Sequence, residues 1–308
     1  MIGAGGFVGR YLLEELRGTG ELFATKLPQE TLLDVPAQVL DLDITQSEAV
    51  FSLLEEIRPD CVYHLAAQSS AALSWKKPQL TVNINVIGAL NVLEAVRALE
   101  LKVRVLLIGS GEEYGGILPE EIPIKETTPV RPANPYAVSK LAQNLLGGLY
   151  AKAYGMDLLS VRAFNHIGPG QAPAFVASDF CRQVALIERG EQPPVISVGN
   201  LSAVRDFTDA RDVVRAYRLL MEKGVSGRTY NVGGGTVCTI RELLDRILSH
   251  SECAIRVETD PARLRPIDTP EISADISRLT EDTGWAPARS LDETLLDTLA
   301  YWRGFAPA

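Results

Sequence analysis

Apolar and polar positions along the first half of the chain follow two alternating rhythms. Short apolar runs at 22–25, 38–42, 61–66, 103–109 and 158–164 have the length and residue types of buried strands. Between them, apolar residues recur at helical spacing over 6–17, 46–57, 78–99 and 135–154. Thr45 with Glu48, Thr239 with Glu242 and Ser290 with Glu293 read as capping boxes at helix starts. Asn134 before Pro135 supplies a cap and a first-turn proline, and Gly155 supplies a stop. Strands alternating with helices predict right-handed crossovers and an α/β fold, a Rossmann-like doubly wound parallel sheet covered on both faces. Beyond residue 166 the rhythm loosens, and proline and glycine crowd HIGPGQAP and GEQPPV. The pattern predicts a first domain over 1–165, to which 205–230 returns. A smaller α/β substrate-facing domain is expected from 166–204 and 231–308.

The chain opens MIGAGGFVGR, with Gly3, Gly6 and Gly9 spaced three apart before a helical pattern. Unpaired N–H groups and a partial positive charge at a helix start attract a diphosphate, and glycines let it approach. Gly3, Gly6, Phe7, Val8 and Gly9 are therefore the expected phosphate cradle of a nicotinamide dinucleotide. The strand that should feed such a loop is interior in a doubly wound sheet, yet only Met1 and Ile2 precede the glycines. The expectation is an interior slot flanked by unpaired backbone, and a natural start several residues upstream. The end of the next strand, FATKLPQE, carries Lys26 and no acid. A lysine there suits a 2′-phosphate, which favours NADPH, with NADH as the alternative. Asp43 and Ile44 after the third strand are placed either to hold the adenine or to form a helix-start turn.

Composition narrows the partners. The 308 residues are 46% hydrophobic and 22% charged, with a net charge of -9. That balance argues against a general nucleic-acid binder but allows an anionic small ligand at a local arginine cluster. Cys61, Cys181, Cys238 and Cys253 lack metal or redox spacing, so buried thiols and no metal site are expected. No apolar run reads as a membrane span and no signal peptide precedes the glycines, so a cytoplasmic protein without membrane contact is expected.

In NPYAVSK, Tyr136 and Lys140 lie four apart near a helix start and so share one face. A tyrosine hydroxyl exchanges protons poorly at neutral pH unless a neighbouring cation lowers its pKa, and a desolvated ammonium is suited to that. The same lysine is placed to hold the nicotinamide ribose. Ser110, in IGSGEEYG, ends a strand at the crevice where such sheets bind ligands, and its hydroxyl is placed to orient a substrate carbonyl.

The stretches GAGGFVG, PDCVYHLAAQSS, NVIGALNVLEA, SGEEYG, PYAVSK, RAFNHIGPGQ and YNVGGG together resemble the extended short-chain dehydrogenase/reductase family, in its nucleotide-sugar branch. RAFNHIGPGQAPAFVASDF, VISVGNLSAVRDFTDARDVVRAY and RLRPIDTPE most resemble its GDP-6-deoxy-D-mannose reductases. The resemblance implies reduction of the C4 ketone of GDP-4-keto-6-deoxy-D-mannose to GDP-D-rhamnose, with Ser110, Tyr136 and Lys140 as the catalytic set. It implies Leu65, Ala66 and Ala67 along the cofactor, and Asn165, Arg205, Arg265 and Arg263 at the GDP end. His166 is placed either in the sugar pocket or in a satisfied turn. Asn231 is expected to tie the two domains. A homodimer through helices 78–99 and 135–154 is implied as well; Gly147 and Gly148 in the second helix are expected to allow close packing against a partner the sequence does not specify. Dehydratases of this family carry Thr, then Asp or Ser, then Glu where this chain has Ser110, Gly111 and Glu112. Glu112 remains as a possible acid, so a 4,6-dehydratase or a 4-epimerase stays open, as does a non-catalytic NADP-binding sensor.

Overall fold

The computed structural model describes residues 1–235, 237–263 and 271–305. Helix α1 (Phe7–Glu15) follows the glycines, and β1 (Phe23–Lys26) pairs in parallel with β2 (Gln38–Asp41). The chain continues through α2 (Ser47–Ile57), β3 (Cys61–His64), α3 (Ala71–Lys76), α4 (Pro78–Val82) and α5 (Gly88–Ala98). Then come β4 (Arg104–Ser110), α6 (Pro135–Tyr154) and β5 (Asp157–Ala163). Side chains alternate across the sheet as its period of two requires. Leu106 faces Leu12 and Tyr217, while Val105 and Leu107 face Val50, Val92 and Leu93.

The expected interior slot is filled by the first residues themselves. Met1 O accepts from Thr25 N at 2.9 Å, and Ala4 N donates to Thr25 O at 2.7 Å. On the other side Ile2 N donates to Tyr63 O, and Leu65 N and Ala66 N both donate to Ile2 O. Ile2 is 4% exposed and bridges in parallel to His64. The expectation of two unpaired rows is thus corrected at the ends of β1 and β3, where Met1, Ile2 and Ala4 pair with both strands. Counting these residues, the parallel sheet runs β2, β1, Ile2, β3, β4, β5, and then β9 at its far edge.

The second half contributes β6 (Asn165–Ile167), α7 (Val176–Glu188), β7 (Val195–Val198), β8 (Val204–Asp209), α8 (Ala210–Lys223) and β9 (Thr229–Val232). It ends with β10 (Val237–Thr239), α9 (Ile240–Leu248), β11 (Arg256–Thr259), β12 (Glu271–Ile272), α10 (Ser277–Thr283) and α11 (Leu291–Gly304). Strand β8 pairs with β6, β10 and β12 in a separate small sheet, and β7 pairs with β11. The chain re-enters the main sheet with α8, which packs on α1, and β9, which pairs with β5.

Local signals hold at most helix ends. Asn134 accepts from Ala137 N and Gly155 closes α6 in the left-handed region. The boxes at Thr239–Glu242 and Ser290–Glu293 form. The box at Thr45–Glu48 does not, because the nearer Asp43 carboxylate takes both the Thr45 N–H and its hydroxyl. The helix over Pro78–Ala98 is continuous but widens to a π-turn at Asn83–Ile87, which turns Asn85 inward to hold Gln68 and Ser139. A stretch of 18 within its 21 residues averages a hydropathy of 1.2, enough by length and composition alone to span a bilayer, which corrects the expectation that no run would be. Its inner face packs on α2 and α6. Gly147 packs α6 onto β4, since a Cβ there would lie 2.5 Å from Leu107, whereas Gly148 faces open space. All four cysteines are free, but Cys61 and Cys253 are exposed rather than buried.

A close backbone approach lies at Gly9, where a Cβ would stand 2.2 Å from the carbonyl oxygen of Ala4. Gly9→Ala is expected to lower unfolding free energy by about 1–3 kcal/mol, read as a fall in urea midpoint at unchanged slope.

Candidate active site

Three loops converge at the C-terminal edge of the main sheet. The first is the glycine turn. Gly3 has φ +85° and lies against Ala66, while a Cβ on Gly6 would meet nothing closer than 4.0 Å. No side chain caps the start of α1, so its N–H groups face an open cradle beside Gly6, Phe7 and Val8. Room for close approach and uncommitted helix-start donors are what a dinucleotide diphosphate needs, so the residues fit that group. Leu65, Ala66 and Ala67 follow β3 beside this turn and are half-buried. Lys26 is not a bare cation, because its ammonium pairs with Asp41 at 2.5 Å on the neighbouring strand. Asp43 and Ile44 serve the helix start. Asp43 binds Thr45, and Ile44 is buried against Gly88, with its carbonyl bound by Asn91.

The second loop leaves β4. Ser110 is 8% exposed and caps the 3-10 turn Gly111–Tyr114, its hydroxyl accepting from Glu112 N at 3.2 Å. Glu112 Oε2 accepts from Asn134 Nδ2 at 3.0 Å, which ties this turn to the start of α6. Glu113 folds back beneath the strand. Its Oε1 accepts the Ser110 N–H at 2.9 Å, Asn144 Nδ2 reaches both oxygens, and Arg162 Nε reaches Oε2 at 2.9 Å. Arg162 also donates to Tyr114 Oη and lies 4.6 Å over its ring. Tyr114 in turn donates to Asn231 Oδ1, and Asn231 Nδ2 holds the carbonyls of Ile124 and Asp275.

Helix α6 brings Tyr136 and Lys140 to this edge on one face. Both are buried, and burial acts on both in the direction of the neutral form. Burial pushes the Tyr136 phenol up to about 12; the Ser110 hydroxyl pulls it down, and Glu112 and Glu113 push it up. Burial pushes Lys140 down to about 8, against an upward pull from Glu113. The expected lowering of the tyrosine by the lysine is therefore corrected. Lys140 Nζ instead donates to Ile108 O at 2.7 Å and to Gln143 Oε1 at 3.2 Å. His64, wholly buried with both ring nitrogens unpartnered among the described residues, is pushed down to about 3 by burial and by Lys140.

The third loop is 165–171. His166 stacks on Phe7, with ring centroids 6.2 Å apart, and its Nδ1 lies 3.0 Å from Phe164 O. Tyr11 Oη donates to Pro169 O, which docks the loop on α1. Asn165 is exposed on β6, and Arg205 lies on β8 with its guanidinium bonded to Val204 O. Arg263 pairs with Asp179 at 2.6 Å on α7, and Arg265 lies outside the described residues. The structure thus gathers Ser110, Glu112, Tyr136 and Lys140, and stacks His166 on Phe7 of the glycine helix. Sequence reasoning missed Glu113, Asn144, Arg162 and Gln143. One signal was available, since Ser110 and Glu113 have the spacing of a capping box.

A parallel sheet with an open glycine helix start and a serine, tyrosine and lysine at its C-terminal edge defines a Rossmann-like protein of the short-chain dehydrogenase/reductase type. Within that class, the chain belongs to the GDP-mannose 4,6 dehydratase family, which it matches over residues 1–298. It is 35% identical to a GDP-6-deoxy-D-mannose reductase of Pseudomonas aeruginosa, over 97% of this chain and 95% of the relative. It is 30% identical to a GDP-mannose 4,6-dehydratase of Vibrio cholerae, over 84% of this chain and 76% of the relative. Among solved structures it superposes on RMD from Pseudomonas aeruginosa complexed with NADPH, with a TM-score of 0.87 and 32% identity, covering 98% and 97% of the two chains. A Thermus thermophilus UDP-glucose 4-epimerase in complex with NAD gives a TM-score of 0.88 at 30% identity, covering 99% and 98%.

NMR of the protein labelled with ¹³C at lysine Cε is expected to show one resonance titrating near pH 8, charged below and neutral above. Its loss in Lys140→Arg assigns it.

Proposed function

We propose that this protein reduces the C4 ketone of GDP-4-keto-6-deoxy-D-mannose to GDP-D-rhamnose, with NADPH as cofactor and NADH as a possible substitute. The observation that carries the reading is the gathering of Ser110, Tyr136 and Lys140 beside the open glycine cradle. The 35% identity to a GDP-6-deoxy-D-mannose reductase along almost the whole of both chains supports the substrate. When bound, NADPH supplies the hydride. Gly6, Phe7 and Val8 would hold its diphosphate, and Lys140 its nicotinamide ribose. Tyr136, protonated at neutral pH because burial holds its pKa high, donates its proton to the oxygen at C4. Ser110 orients that oxygen. Ketone, hydride and proton together make the secondary alcohol.

The dehydratase reading is favoured by Glu112, which is present and half-buried beside the site. Against it stands Gly111, where a Cβ would already lie 3.3 Å from the Phe164 ring. Asn165, Arg205, Arg263 and Arg265 remain our candidates for the GDP end. The homodimer belongs to the same proposal. Val138, Leu145 and Leu149 form an exposed stripe on α6, the last two 59% and 62% exposed, and Leu80 and Ile87 are exposed on the adjoining helix. A cytoplasmic setting accords with four free thiols.

Purified protein is expected to oxidise NADPH only when GDP-4-keto-6-deoxy-D-mannose is added, with GDP-D-rhamnose identified by NMR. GDP-mannose converted to a 4-keto product would select the dehydratase instead. Tyr136→Phe should lose at least about 100-fold in kcat while still binding NADPH. Turnover should fall as pH rises through about 8, as Lys140 loses the proton that Glu113 favours; Tyr136 and His64, the other titratable groups near it, stay neutral. Leu145→Glu with Leu149→Glu is expected to shift the particle from dimer to monomer mass by light scattering.

A further inference from the structure

Glu113 is a fully buried charged side chain behind the proposed catalytic set, and the reaction itself does not use it. We infer that Glu113 is a positioning residue for Ser110. Its carboxylate, buried behind the end of β4 and clamped by Asn144 and Arg162, holds the backbone from which the Ser110 hydroxyl projects. The inference rests on the reductase reading for its consequence in turnover, and on geometry alone for the clamp.

The clamp is reciprocal. Glu113 Oε1 accepts the Ser110 N–H, while the Ser110 hydroxyl accepts from the same short turn through Glu112 N. The serine is thus fixed at its main chain and at its oxygen. The carboxylate is fully buried and meets donors on every side, from Ser110, Asn144 and Arg162. A glutamine would set its own N–H₂ against one of those donors, so the site is built for an acceptor-only group. Gly109 makes the room. A Cβ there would lie 2.4 Å from Glu113 Oε1 and from Asn144 Nδ2. Asn144 shows the same purpose, because its Oδ1 is buried without a partner among the described residues and only its donor end is used. Arg162 is itself immobilised by Tyr114, which β9 holds through Asn231. A buried ion pair is a poor source of net stability, but one held this tightly fixes direction. What it directs is the strand end carrying Ser110.

The test uses the full chain with Glu113→Gln, Ser110→Ala and the double variant, assayed by NADPH oxidation with GDP-4-keto-6-deoxy-D-mannose. Mildly acidic pH, below the Lys140 titration, keeps the separate effect of Glu113 on that lysine out of the comparison. Glu113→Gln is expected to lower kcat about 10- to 100-fold, as expected for a misplaced catalytic group, with both KM values changed less than about twofold. On the Ser110→Ala background the same change should cost less than about threefold, since the group it positions is gone. Losses that multiply in the double variant would overturn the inference. Should Glu113→Gln fold poorly, Asn144→Ala loosens the carboxylate without unpairing Arg162, and the same non-additivity with Ser110→Ala is expected. Amide hydrogen exchange reads the clamp without turnover. Exchange at Ser110 should quicken in either variant while that at Leu106 does not, and unchanged exchange at Ser110 would overturn it. If the wild-type protein binds NADPH but does not turn over, the reductase reading falls and the exchange result decides the clamp.

Discussion

The buried contact between Glu113 and Arg162 is the constraint around which this molecule is organised. Neither group can be left alone in the interior, where an unpaired charge costs several kcal/mol, about 3–5 when a pair is broken. Each has accordingly drawn a set of partners from distant parts of the chain. Ser110 and Asn144 complete the carboxylate, Tyr114 and the Glu126 carbonyl the guanidinium, and Asn231 the tyrosine. With Arg162 itself on β5, those partners lie on β4, α6, β9 and the segment between β4 and α6. One electrostatic requirement therefore links the strand end, the catalytic helix and the far edge of the sheet.

Around that linkage, burial sets the chemistry. Tyr136 and Lys140 are withdrawn from water together, and withdrawal favours the uncharged form of each. The phenol keeps its proton, and the ammonium holds its proton less firmly than a surface lysine. This is a sensible state for a site that must give a proton to a nascent alkoxide. Glu113 raises both groups, so it adds to burial at the tyrosine and opposes it at the lysine. Ser110 is the counterweight on the tyrosine, so its placement bears directly on how readily Tyr136 parts with its proton.

The glycine turn and loop 165–171 close the other side of the cleft by contacts of a different kind. Gly3 and Gly9 are glycines because backbone atoms crowd them, whereas Gly6 is a glycine beside open space. Phe7 then uses its ring to seat His166, and Tyr11 uses its hydroxyl to hold Pro169. The helix that offers its N–H groups to a diphosphate is thereby the helix on which the start of the second half rests.

Strand and helix alternation, the caps at Asn134, Thr239 and Ser290, and the grouping of Ser110, Tyr136 and Lys140 were all legible in the amino-acid sequence. Each depends on periodicity or on spacing within a few residues, and such signals act locally. The sequence also carried the Ser-x-x-Glu spacing of Ser110 and Glu113, overlooked because it falls after a strand rather than before a recognisable helix. What only the tertiary structure decided are the contacts between residues far apart. Met1 to Ala4 pair both neighbouring strands, Ile44 turns into the core rather than outward, and Lys26 meets Asp41 across strands. Above all, Arg162 arrives beneath Ser110 from a strand some fifty residues later (|i−j| = 49 to Glu113). The shifts of Tyr136 and Lys140 belong with these, because a pKa follows from which groups surround a side chain and how much water they displace. Neither is written in the order of residues, and both appear only once the chain has folded.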